Sequence, residues 1–179
     1  MVERLTSRVW VMQTIYVILA LAIVYGRLLP LENHVVPWAA PDLLVIMTFA
    51  WALRRPDYVP VISVAIVMLM ADLLLLRPPG LMAALVLVGT AALQRRQRDI
   101  REMGFVLEWM TVTMALGAIL VAERLMLGLF MVPQVPLGQS VIQSFVTTLY
   151  YPLVVIGSEV IFGVRRIAPG SVSNVVQRS

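Results

Sequence analysis

Six apolar runs follow one another along the chain, at about 9–29, 39–53, 59–76, 80–93, 105–132 and 140–164, separated by short polar or proline-containing stretches. A helix crosses about 30 Å of hydrocarbon with about 20 residues at 1.5 Å each, so the runs read as membrane spans. The second and fourth are short by that measure. They must thin the bilayer locally, begin inside a polar pocket or extend into flanking residues. The pattern predicts an all-α membrane protein, with six transmembrane helices paired as three hairpins in one domain over residues 1–167. A polar tail from Ala168 onward is expected to be disordered. The first run exceeds the 7–15 residues of a cleaved signal core, so it reads as an uncleaved span.

Composition agrees with this reading. Of the 179 residues, 60% are hydrophobic and 13% charged, against about 25% charged in soluble domains. All fourteen basic residues are arginine, and they are distributed unevenly. Arg4 and Arg8 precede the first run, Arg54 and Arg55 follow the second, and Arg95, Arg96, Arg98 and Arg101 follow the fourth. Arg165, Arg166 and Arg178 follow the sixth, which places eleven arginines on one side; Arg27 and Arg77 lie opposite, and Arg124 falls within a run. By the positive-inside rule both termini are expected in the cytoplasm. The opposite connections, Pro30 to Pro41, Arg77-Pro78-Pro79-Gly80 and Pro133 to Gly138, carry helix-stopping residues instead. The net charge of +4 gathers at the ends of apolar runs, which does not suit a nucleic-acid partner.

Ionisable groups inside apolar runs are costly and call for a partner or a function. Asp42, Asp72, Arg77, Glu123 and Arg124 converge on one depth of the membrane, on the proline side. The reading favoured for them is a set of internal ion pairs, such as Asp72 or Asp42 with Arg124; a proton or solute site and contact with a partner's membrane segment are the alternatives. In the sixth run Ser140, Gln143, Ser144, Thr147 and Thr148 share one helical face, which Tyr151 and Glu159 continue. Such a stripe should point into the bundle or at another protein, because lipid cannot satisfy it. Thr113 with Gly117, and Ala118 with Ala122, are small pairs that would permit close helix approach in the fifth run. Trp10, Trp38, Trp51, Tyr58 and Trp109 lie near run ends and read as interfacial anchors.

Candidate chemistry is sparse. The chain has no cysteine and one histidine, His34, which excludes disulfides, thiolate ligands and two-histidine metal sites. No nucleotide-binding loop, hydrolase elbow or zinc-protease motif occurs, and no catalytic residue, cofactor site or metal site is expected.

Two segments carry a recognisable signature. One is Pro41-Asp42-Leu43-Leu44, running to Trp51-Ala52-Leu53-Arg54-Arg55-Pro56; the other is Ala71-Asp72-Leu73-Leu74, running to Pro79-Gly80-Leu81. Together with the length and the small loops they resemble MreD, the rod shape-determining membrane protein family of bacteria, over almost the whole chain. The resemblance implies a multi-pass protein of the bacterial inner membrane, related in fold to the six-helix substrate-binding subunits of energy-coupling-factor transporters. It implies a non-enzymatic role in cell elongation and peptidoglycan synthesis, with MreC as direct partner, RodA and a class B penicillin-binding protein as further ones, and MreB indirectly. Pro41, Asp42, Asp72, Pro79 and Gly80 would then serve hairpin structure. Family members often carry a glycine just after the second set of leucines; this chain has Leu76-Arg77 there, which counts against a tight backbone approach at that turn.

Three functions compete on this reading. The leading one is a scaffold that holds the membrane anchor of MreC. The runner-up is a solute-binding transporter subunit, which requires a pocket between the proline-side ends of the helices; the connections there offer few ligating side chains. A membrane enzyme acting on lipid-linked precursors comes last.

Overall fold

The computed structural model describes residues 2–29, 40–96 and 104–164. Trp38, His34 and the tail from Ala168 lie outside the described residues, as do Pro30, Arg98, Arg101, Arg165, Arg166 and Arg178. Among the described residues six α-helices follow in order: α1 (Val2–Leu28), α2 (Leu43–Arg54), α3 (Val61–Leu74), α4 (Leu81–Arg95), α5 (Phe105–Leu129) and α6 (Leu137–Phe162), with a 3₁₀ turn at Pro56–Tyr58. Among the described residues there is no strand. Each helix matches one of the six apolar runs, with ends displaced by a few residues.

Among the described residues three helices are long and apolar enough to cross a membrane: α1 from Arg8, α5 and α6. The other three have 12, 14 and 15 residues. At about 1.5 Å per residue α2 is about 18 Å long, well short of the hydrocarbon thickness. Its surroundings explain why that length is tolerated. Eleven of its twelve residues are buried, because α1, α4 and α6 pack against it while α3 links α1 to α4 and α5 links α4 to α6. A helix sheathed by protein needs only its own ends satisfied, and α2 begins at Asp42 and ends at Arg54, both in polar clusters.

The surrounding helices bury one stripe each at helical spacing. Tyr16, Ala20 and Val24 serve α1; Val64, Val67, Met68 and Ala71 serve α3; Thr147, Tyr151, Val155 and Ser158 serve α6. Their other faces are equally apolar and exposed, as with Ile62, Ile66 and Leu69 on α3 or Phe145, Leu149 and Ile156 on α6. Helices apolar all round with polar groups turned inward make a surface suited to lipid. A close approach to α2 occurs at Gly89 of α4, where a Cβ would lie 3.0 Å from Cζ of Phe49. The small pairs expected to do this in the fifth run do not: Thr113 and Ala118 are exposed, and a Cβ on Gly117 would meet nothing.

Three helices end in a reversal that bonds an N–H just past the C-cap to a carbonyl five or six positions earlier. In α3 the Arg77 N–H reaches the Asp72 carbonyl, in α5 the Val132 N–H reaches Leu127, and in α6 the Val164 N–H reaches Ser158. The residue between must take a left-handed backbone, which Gly163 does at φ 63°. Leu76 at φ 55° and Met131 at φ 51° do so without being glycine. The turn after α3 is therefore tight despite Leu76-Arg77, contrary to the sequence expectation, and Leu76 bears the strain of its Cβ.

Candidate functional site

The polar residues gather in two clusters, one at each end of α2. At its C-terminal end Arg54 is 4% exposed. Its Nε lies 3.1 Å from Oε1 of the buried Glu108 and its Nη1 lies 3.4 Å from Oε2 of Glu159. The Tyr151 hydroxyl donates to the same Glu108 oxygen at 2.6 Å, and the Trp51 indole donates to Ser158 at 3.0 Å. This cluster joins α2, α5 and α6. It corrects two expectations: Arg54 is no loop charge, and Trp51 is fully buried where an interfacial anchor was expected. Arg54 is the last residue of α2, and its guanidinium turns into the bundle between Glu108 and Glu159. Arg55 lies over the Tyr58 ring at 5.6 Å, beside Pro56 in the turn. Glu108, missed by the sequence reading, sits one turn inside the fifth run; its spacing to the buried Val112 and Leu116 was the available signal.

At the N-terminal end of α2, Asp42 takes Arg27 on one oxygen and Arg77 on the other, each at 3.6 Å. Arg27 also donates to the Pro41 carbonyl at 2.8 Å, and the Asp42 N–H donates to the Thr147 hydroxyl at 2.9 Å. Asp72 accepts from the Gly80 and Ala83 N–H groups, both at 3.1 Å. It thereby caps α4 from another helix, and Gly80 supplies the left-handed residue at φ 84° just past Pro79. These contacts overturn the expected pairing of Asp42 or Asp72 with Arg124. Arg124 instead donates to Gln134 at 3.3 Å and to the Val135 carbonyl and Ser140 hydroxyl at 2.7 Å each, pinning the α5–α6 connection. The guanidinium reaches neutral acceptors 10, 11 and 16 residues along the chain, which spacing in the sequence could not reveal.

The stripe on α6 faces inward as expected. Ser140, Thr147, Tyr151 and Glu159 all meet partners on other helices or connections, as does Ser158, which the sequence reading had not placed in the stripe, and Gln143 donates to the Ala40 carbonyl at 3.2 Å. Thr148 contributes through its backbone. Pro152, four residues on, has no N–H to offer the Thr148 carbonyl, and the Trp109 indole donates there at 2.9 Å. Trp109 thus repairs a gap in the α6 ladder, which its position near a run end did not suggest.

Between these elements lies a cavity of about 750 Å³. Asp42, Arg77, Glu123, Gln139, Gln143 and Ser144 line it on the polar side, while α5 contributes Leu116, Leu120 and Leu127. The volume falls in the range of small-molecule sites, about 300–1,000 Å³. The ligating groups come from α5, α6, the start of α2 and the α3–α4 turn; the sequence reading looked for them in the connections and found few. Among the described residues, no three side chains of metal-ligand type gather. No protein-family model, curated protein or solved structure matches the chain.

Proposed function

We propose that the chain is a non-enzymatic membrane scaffold of the bacterial cell-elongation machinery, of the MreD type, acting as a six-span bundle with both termini in the cytoplasm. The observation that carries the reading is the internal use of the signature acids. Asp42 binds two arginines from α1 and the α3–α4 turn, and Asp72 caps α4. Both carboxylates build the bundle, which is the structural role that the resemblance implies for them. The buried α2 supports six crossings despite its length, since the polar clusters at its ends remove the need to reach water. The arginine distribution supports the orientation, and binding of MreC, with RodA and a class B penicillin-binding protein nearby, follows from the resemblance.

Co-purification from membranes in mild detergent tests this reading. MreC retained at a fixed ratio is the expected result; its absence under conditions that keep the helical circular dichroism intact would overturn it. A second reading, a solute-binding subunit of a transporter, is favoured by the cavity beside Asp42 and Glu123. It predicts retention of a soluble metabolite and co-purification with a nucleotide-hydrolysing partner in place of MreC.

A further inference from the structure

Glu123 stands apart from every other acid in the cavity region. It lies within α5, with Leu120 and Leu127 one turn to either side, and all three line the cavity. Among the described residues it has no hydrogen bond and no ion pair, whereas Asp42 and Asp72 are each held by two groups. Its neighbour Arg124 is turned to the α5–α6 connection. A carboxylate at membrane depth that closes no ion pair is costly, and such a group calls for a partner or a function. Facing it is charge of the opposite sign. Arg27 and Arg77 share the single carboxylate of Asp42, and Arg77 lines the same cavity as Glu123 without closing an ion pair to it. The cavity therefore has an acidic pole on α5, a basic pole at the α3–α4 turn, and an apolar wall beside the acid.

We propose that this cavity binds a zwitterionic amphiphile, its ammonium held by Glu123, its anionic group by Arg77, and its apolar part against Leu116, Leu120 and Leu127. Gln139, Gln143 and Ser144 supply hydrogen bonds between the poles. An ethanolamine phosphate head has this chemistry, whether as part of a membrane lipid or as a free glycerophosphoethanolamine. The inference is independent of MreC binding, so failure of either leaves the other standing.

The test uses the full chain in detergent. Native mass spectrometry follows binding of phosphatidylethanolamine against phosphatidylglycerol at equal concentration, and calorimetry follows soluble glycerophosphoethanolamine. A one-to-one complex preferring the ethanolamine lipid is expected, weakened about ten- to a hundredfold in Glu123→Gln, as for loss of a desolvated charge-assisted contact. Binding of the lipid alone identifies a membrane source; binding of the soluble head as well shows that the head suffices. Ser144→Phe, which fills the cavity from α6, gives the same loss and serves if Glu123→Gln does not fold. Three results would overturn the proposal: binding of neither probe, no preference between the lipids, or binding undiminished in both variants. A partner's membrane segment cross-linking at position 123 in place of the lipid would also do so.

Discussion

Asp72 shows how a single side chain in this fold can be indispensable without touching a ligand. Its carboxylate meets two of the N–H groups that the first turn of α4 leaves without helical partners, and it is 1% exposed. Asp72→Ala would leave those donors buried beside a void, at a cost of about 1–3 kcal/mol. Asp72→Asn keeps one acceptor and should cost less. Thermal unfolding in detergent measures both, and equal loss in the two variants would argue that charge alone matters. Residue identity in such places was only partly legible. The sequence marked Asp42 and Asp72 as costly acids and put them at one depth, but partner choice depends on which helix ends meet. Arg77 and Arg27 reach Asp42 from elements separated along the chain, a relation that no spacing encodes.

At the scale of elements, α6 depends on α5 for a hydrogen bond it cannot make itself. Proline inside a helix removes one donor, and in lipid the orphaned carbonyl has no water to turn to. The Trp109 indole closes the gap at Thr148. Trp109→Phe should cost about 0.6–2 kcal/mol, the range for interhelical bonds in membranes. Pro152→Ala restores the backbone donor at position 152, so in its background Trp109→Phe should cost much less. A double-mutant cycle by detergent unfolding reads the coupling directly, and strict additivity would refute the repair. Element positions themselves were readable from the apolar runs because a helix of this kind is apolar on every side. Which side turns inward was readable only for α6, whose polar stripe survives the averaging. For α3 and α5 apolar residues lie both inside and outside, so their orientation had to come from packing, and the close contact at Gly89 went unforeseen.

The molecule as a whole is organised around α2, with a charged lock at each end of a short helix. Arg54, placed between Glu108 and Glu159, ties α2 to α5 and α6. Removing it in Arg54→Met leaves a buried carboxylate uncompensated, at about 3–5 kcal/mol, and protein yield from membranes should fall steeply. Normal yield and unfolding temperature would show that the lock is dispensable. The short helices α3 and α4 pack against each other, and α4 packs against α2, so in the proposed six-span bundle both cross with it, although among the described residues three helices satisfy length and composition alone. The absence of native cysteine makes that requirement directly measurable. Single cysteines at Leu76 and Met131, both more than nine-tenths exposed in the proline-side turns, should react with a membrane-impermeant maleimide on intact spheroplasts. Cysteines at Arg55 and Arg96 should react only after permeabilisation. Labelling of position 76 on the same side as position 55 would mean that α3 does not cross, and would contradict the six-span bundle on which the proposed function rests.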